Sequence, residues 1–297
     1  MRVRRALAAA AVLPLALAAA ACAPEEDSDG TTASDPVGST SASPSADACE
    51  TDSLPVRTDG QLTVGTDSPA YEPWFVDNDP TNGKGFESAV AYAVAEQLGF
   101  SADQVAWVKV PFNKSYAPGP KDFDFDINQI SINPKRAEAV DFSDGYYSAS
   151  QAVIALKGTA GAEATSLDDL RGLRLGAQTG TTSLTAIRDV IQPDQEPAVY
   201  EDTNVAKAAL QNDQVDAILT DLPTAFYISA VEIPKSTIIG QFQPETGEQE
   251  EFGMLFQKGS PLVGCVNEAL AALREDGTLD EIEQEWLSDV VDVPELQ

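Results

Sequence analysis

The sequence contains no histidine, which removes His-based general acid–base catalysis, Ser-His-Asp triads and His-ligated metals from the available chemistries. Basic residues are scarce: 18 Lys and Arg stand against 48 Asp and Glu, for a net charge of −30. Such a surface repels nucleic-acid phosphates and anionic lipid headgroups, which argues against nucleic acid as a partner and makes the charge a solubility feature. Only three cysteines are present. No apolar run reaches the roughly 20 residues of a membrane-spanning helix, and no period of roughly 20 to 50 residues repeats, so a solenoid is excluded. What remains is 297 residues with 43% apolar content, enough for one large domain or two ordinary ones with real cores.

Met1 to Arg5 carries three arginines and leads into an Ala/Leu/Val run that ends at Ala21 and contains Pro14. A positive segment followed by a short apolar one is an export signal, here spanning residues 1–21. Its removal takes away Arg2, Arg4 and Arg5 and moves the charge from −30 to −33. Ala19-Ala20-Ala21-Cys22 resembles the lipobox of bacterial lipoproteins, in which the cysteine becomes the lipidated first residue, although Ala19 stands where Leu is usual. The same residues also satisfy an ordinary Ala-x-Ala cleavage site, which would leave Cys22 a plain thiol. From Ala23 to about Pro55 the chain is rich in Ser, Thr, Ala, Asp and Pro and nearly devoid of large apolar residues, so it cannot offset its ordering entropy. Residues 22–58 are expected to form a lipidated cysteine and a flexible tether, a coil reaching on the order of 30 Å. An exported chain meets an oxidising compartment, so with Cys22 assigned to the anchor, Cys49 and Cys265 are expected to pair; two unrelated free thiols are the alternative.

Beyond the tether, short β-like runs alternate with helix-like segments. Gln61–Thr66, Val105–Val110, Phe125–Ile132, Gly172–Ala177 and Val215–Thr220 read as strands, and Phe86–Leu98, Ser183–Ile191 and Val205–Asn212 as helices. Asn133 and Pro134 suit the N-cap and first position of a short helix that ends at Ala137. The βαβ pattern predicts an α/β fold with largely parallel sheets. Between one strand and the next helix lies Gly176-Ala-Gln-Thr-Gly-Thr-Thr182. A glycine-rich turn of this kind exposes backbone N–H groups that suit an anion. It lacks the lysine of a P-loop, and turns like it are also ordinary connections that bind nothing.

An ordered set of motifs sharpens this reading. Leu62-Thr-Val-Gly-Thr-Asp67, Phe86-Glu-Ser-Ala-Val-Ala, Ile130-Ser-Ile-Asn-Pro-Lys-Arg-Ala137, Val140-Asp-Phe-Ser143, Tyr146-Tyr147 and Ser166-Leu-Asp-Asp-Leu-Arg-Gly172 come first. Gln178-Thr-Gly-Thr181, Val215-Asp-Ala-Ile-Leu-Thr-Asp221 and Ala272-Leu-Arg-Glu-Asp-Gly-Thr-Leu279 follow. Together they resemble, from about residue 60 to 288, the family 3 bacterial solute-binding proteins, binders of polar amino acids. The resemblance implies a two-lobed periplasmic-binding-protein-like fold of type II, with mostly parallel sheets joined by two hinge strands. Lobe 1 would comprise residues 59–150 with 250–290, and lobe 2 residues 151–249.

Carried over by motif, Arg136 would grip the α-carboxylate of an amino acid, a task suited to a planar guanidinium. Thr181 and Thr182 would meet the same carboxylate from lobe 2, and Asp221, at the C-terminal end of a strand, would pair with the α-ammonium. Ser131 would lie near the α-groups. Gln129 stands where the family often has a smaller residue and would respecify the pocket. Asp67 and Tyr71 would touch or flank the ligand side chain, with Trp74 nearby, and Phe112 would form a platform beneath it. Without the resemblance, Arg136 reads as a surface helix residue, the threonines as helix caps and Asp221 as an Asx turn before Pro223. The implied function is delivery of a polar or cationic amino acid to the permease of an ABC importer by a monomer held on the outer face of the cytoplasmic membrane by its lipid, with no cofactor. Two other classes use the same fold: an exported dehydratase, which would need a positioned acid such as Glu72 or Asp67, and a ligand-sensing module.

Overall fold

The computed structural model describes residues 49–243, 250–287 and 293–297. The expected export signal, Cys22 and the greater part of the expected tether lie outside the described residues. In chain order the strands are β1 (Leu62–Thr66), β2 (Val105–Lys109), β3 (Phe125–Asp126), β4 (Val140–Ala149), β5 (Gln151–Leu156), β6 (Leu175–Gln178), β7 (Ala198–Tyr200), β8 (Ala217–Asp221), β9 (Ser236–Phe242) and β10 (Glu250–Gln257). The helices are α1 (Phe86–Gln97), α2 (Phe112–Ser115), α3 (Pro134–Ala137), α4 (Leu167–Leu170), α5 (Thr182–Ala186), α6 (Thr203–Gln211), α7 (Leu222–Tyr227), α8 (Leu262–Glu275) and α9 (Thr278–Leu287).

Two five-stranded sheets result, in the orders β2-β1-β3-β10-β4 and β7-β6-β8-β5-β9. In each, β10 or β5 alone runs against the other strands. The fold is thus the α/β, two-lobed type II arrangement. Among the described residues, strands pass from one sheet to the other from β4 into β5 at Ser150 and from β9 into β10, and after α9 on the first lobe residues 293–297 return to the second, where Glu295 bridges to Gln241 of β9. Each sheet separates two apolar clusters, so each lobe has a core of its own.

Local sequence explains the main elements. In α1, Phe86, Val90, Ala91 and Val94 are fully buried, and burial of each larger side chain stabilises the lobe by about 1.5 to 3 kcal/mol. The helix begins after Gly85, whose φ of 96° and whose Cβ position, 2.5 Å from the Trp74 carbonyl oxygen, together require glycine. Asn133 caps α3 by accepting from Arg136 N at 3.0 Å, as its sequence predicts, and Pro134 occupies the first turn. Thr181 caps α5 and Asp202 caps α6 in the same way.

Three expectations change. The strand predicted over Phe125–Ile132 is only two residues long: the chain turns at Gln129, whose φ is 47°, and Ile130 and Ile132 then bond to β10. Ile127 and Ile130 are buried without belonging to β3, so their apolar character reflected the core and not a ladder. The helix predicted over Ser183–Ile191 begins at Thr182, and its second half, Ile187–Ile191, is a wider π-helical turn. Residues 49–58, assigned by composition to the tether, pack on the first lobe: Leu54 is buried, Thr51 donates to the Leu98 carbonyl, and Arg57 N donates to Asp124. Cys49 and Cys265 are joined, as expected, with Cα atoms 5.4 Å apart.

Candidate functional site

The C-terminal ends of the parallel strands in both sheets face one cleft, the place where open α/β sheets receive ligands. From the first lobe come Asp67 and Tyr71 after β1, Phe112 at the start of α2, and Asn128, Gln129 and Ser131 after β3. From the second come Gln178 at the end of β6, Thr181, Thr182 and Ser183 at the start of α5, Thr203 on α6, Thr220 and Asp221 at the end of β8, and Thr224 on α7. Every expected ligand-contacting residue except Arg136 lines this cavity.

Arg136 stands at its margin, buried, with its guanidinium over the rings of Phe112 and Tyr116, 5.6 and 4.9 Å from the ring centroids. Nη1 donates to the Ser131 carbonyl at 2.8 Å and Nη2 to the Gly180 carbonyl at 3.0 Å, so this side chain bridges the lobes. Two of its five N–H donors are thereby engaged. Burial lowers the Arg136 pKa, while Tyr116, Glu250 and Asp221 oppose that shift. Gly180 itself has a φ of 78°, which favours glycine, and a Cβ there would lie 1.9 Å from Asn113 Oδ1, so any other residue would displace the Asn113 side chain.

The acid at the end of β8 sits in a network that the sequence did not announce. Asp221 accepts from Gln151 Nε2 at 2.8 Å, and the same nitrogen donates to Glu250 Oε2 at 2.8 Å. Glu250 also accepts from Ser131 Oγ, and Ser183 Oγ donates to Gln151 Oε1 at 2.5 Å. Burial, and then the neighbouring Glu250 carboxylate, push the Asp221 pKa well above the usual carboxylate range. Ser131, expected beside the ligand, thus has its hydroxyl proton on Glu250, and Ser131 Oγ lies 3.4 Å from Thr182 Oγ1 across the cleft.

Asp67 is held by Phe112 N, which donates to Oδ2 at 3.0 Å, and by Ser68 N on Oδ1. The Tyr71 ring lies 5.6 Å from the Lys207 ammonium, and its hydroxyl pKa is raised by burial and then by Asp202. Trp74, fully buried, does not line the cavity but donates from Nε1 to Thr224 Oγ1 at 2.7 Å, a further direct link between the lobes. Behind Gln129 lies Glu87, buried, with its pKa pushed up to about 7 by desolvation. Gln151, Glu250 and Glu87 escaped sequence reasoning; only the Phe86-Glu-Ser-Ala motif pointed near one of them. Among the described residues, no helix is long and apolar enough to cross a membrane.

Two α/β lobes closing a polar cleft between strand ends define a small-molecule-binding protein. Residues 62–289 match the bacterial extracellular solute-binding proteins, family 3, and the chain belongs to that family. It is 29% identical to the L-cystine-binding protein TcyJ of Escherichia coli (strain K12) over 78% of this chain and 84% of that one. It is 30% identical to the ABC transporter glutamine-binding protein GlnH of Bacillus subtilis (strain 168), covering 71% and 76% of the two chains. Its fold resembles the structure of an ancestral arginine-binding protein bound to arginine, with a TM-score of 0.65, 30% identity, and coverage of 77% of this chain and 98% of that one. These relatives are amino-acid-binding proteins.

Proposed function

We propose that this chain is the solute-binding subunit of an ABC importer, taking a polar or cationic amino acid between its lobes and delivering it unchanged to the permease. One observation carries the reading: the Arg136 guanidinium of the first lobe reaches the Gly180 carbonyl at the margin of the same polar cleft that the Asp221 carboxyl lines from the second lobe. That pairing matches the two charges of an amino-acid zwitterion. The remaining guanidinium donors of Arg136 and the hydroxyls of Thr181 and Thr182 would take the carboxylate. Asp221 would take the ammonium. Asp67, on the facing wall, gives the side-chain end a negative partner, which favours cationic or donor-bearing side chains.

In this reading the moving bodies are residues 59–150 with 250–290 and residues 151–249, hinged where β4 meets β5 and β9 meets β10. Closure is favoured by ligand contacts made from both lobes. The protein works as a monomer without a cofactor, and Cys22 carries the lipid that holds it at the outer face of the cytoplasmic membrane.

The test is a thermal-shift and calorimetric screen of the mature protein against the standard amino acids and cystine, with mass spectrometry of whatever co-purifies. The expected result is one or a few polar or cationic amino acids, recovered unchanged, that raise the melting temperature; saturation a hundredfold above Kd stabilises by about 2.7 kcal/mol. Chemical turnover of a bound molecule would instead identify a dehydratase-like enzyme. An unmodified Cys22 at the mature N-terminus would remove the anchor.

A further inference from the structure

Gln129 lines the cavity with φ of 47°, a backbone conformation that a non-glycine residue keeps only when its surroundings hold it there. The holder is Glu87. Gln129 N donates to Glu87 Oε1 at 2.6 Å, Gln129 Nε2 donates to Glu87 Oε2, and the Tyr146 hydroxyl donates to Oε1. Glu87 is fully buried on the first turn of α1, and its own N–H bonds to the Trp74 carbonyl at 3.0 Å, so it is anchored from below. Above about pH 7 Glu87 is ionised, and an ionised carboxylate accepts and cannot donate. The end of the Gln129 amide that faces Glu87 is therefore the nitrogen, and Oε1 is the end that no donor among the described residues reaches.

We infer that Glu87 is the positioning residue that fixes the polarity of Gln129, so that this amide meets the bound molecule with its oxygen and the site favours a ligand carrying N–H donors, a guanidinium or an ammonium, on the end that reaches it. This rests on the amino-acid-binding reading above and narrows it. A carbonyl or carboxylate placed against Oε1 would leave two acceptors facing each other in a desolvated cleft. A donor there completes the amide's hydrogen bonding.

The substitution that reverses the polarity is Glu87→Gln. It keeps the shape of the side chain, accepts from Gln129 N and Tyr146 with its oxygen, and donates its own NH2 to Gln129 Oε1, which turns the Gln129 nitrogen toward the cleft. Binding is measured by calorimetry at pH 8 with two pairs of probes that differ at the cationic end of the side chain: arginine with citrulline, and lysine with norleucine. The wild type is expected to prefer the cationic member, which presents donors in place of the ureido oxygen or the methyl end, in at least one pair. In Glu87→Gln the arginine-to-citrulline or lysine-to-norleucine ratio is expected to fall about tenfold, the discrimination expected of one buried hydrogen bond. A role confined to packing would weaken both members equally.

A ratio that moves less than twofold, or a wild type that prefers the neutral partner in both pairs while binding amino acids, overturns the inference and leaves the proposed function standing. A wild type that binds no amino acid overturns both. Should Glu87→Gln fail to fold, Gln129→Met, which has no amide, is expected to lose the same tenfold preference, and an unchanged ratio in that variant overturns the inference equally.

Discussion

The side-chain amide of Gln151 donates to Asp221 across 2.8 Å. Gln151 opens β5, and its other carboxylate partner, Glu250, opens β10, so the acid of the cleft is hydrogen-bonded to β5 directly and linked to β10 through the Gln151 amide. Two buried carboxylates share one donor, and their mutual repulsion is what a ligand ammonium would relieve.

Asp221→Asn is expected to separate stability from binding. Removing a buried charge beside Glu250 should leave the ligand-free protein as stable as the wild type or more so. Amino-acid affinity should fall by at least about 2 kcal/mol, roughly thirtyfold, because the ligand ammonium loses its ionic partner. Calorimetry and thermal melts on the same preparation check both; unchanged affinity would remove Asp221 from the pocket.

Arg136→Ala is expected to lose at least about 2 kcal/mol of affinity while the protein stays folded. Arg136→Lys restores the charge but not the two carbonyl bonds to Ser131 and Gly180 made by separate nitrogens, so it should recover only part of the loss. Full recovery in the lysine variant would show that planarity has no role.

Trp74→Phe keeps an aromatic ring in the cluster with Phe86, Tyr147 and Phe252 but deletes the N–H that reaches Thr224. The bond exists only when the lobes meet. Ligand affinity should therefore weaken by about 1 kcal/mol, some fivefold, chiefly through faster release. Stopped-flow dissociation is the readout, and an unaltered off-rate would argue that the contact does not contribute to closure.

The pH dependence of stability carries the signature of Glu87. Its carboxyl, ordinarily near 4.5, is raised to about 7 by burial, against the bonds from Tyr146 and Gln129. Asp126 and Asp221, both in its electrostatic field, are raised as well. A raised carboxyl means the folded protein holds its proton more tightly than the unfolded chain. Its contribution to stability is full below about 4.5 and is lost as pH rises through about 7. Glu87→Gln cannot ionise, so its stability relative to the wild type should improve by about 3 kcal/mol between those limits. Urea melts at several pH values test this, and a pH-independent difference would contradict it.

Loss of the Cys49–Cys265 link, which spans 216 residues of sequence, should lower stability by up to about 5 kcal/mol on the chain-entropy model. Comparing Cys49→Ser with the oxidised wild type in denaturant gives the value directly, and a free-thiol assay on the unreduced mature protein should detect neither cysteine.

Much of the site was legible because it lies at strand ends. Asp67 follows β1, Asp221 ends β8, and Thr181 and Thr182 close the glycine-rich turn after β6, so the motifs shared with the family named them before any folding was considered. Arg136 was recognised by its motif, but its placement at the margin, bonded to two carbonyls, depends on Gly180, which is 44 residues away. The length of β3 was misjudged for a related reason: buried Ile127 and Ile130 imitate a strand when only periodicity is available.

The amino-acid sequence alone determined the alternation of strands and helices, their caps and the order of motifs that places the chain among solute-binding proteins. Each of these is written in residues a few positions apart, within reach of hydrophobic periodicity and capping chemistry. Only the tertiary structure decided that Gln151 ties Asp221 to Glu250, that Glu87 holds Gln129, and that Trp74 reaches Thr224, contacts whose partners lie 42 to 150 residues apart. Such partners leave no periodic trace in the chain, because what selects them is the need of a buried donor or acceptor for whatever the completed fold brings beside it.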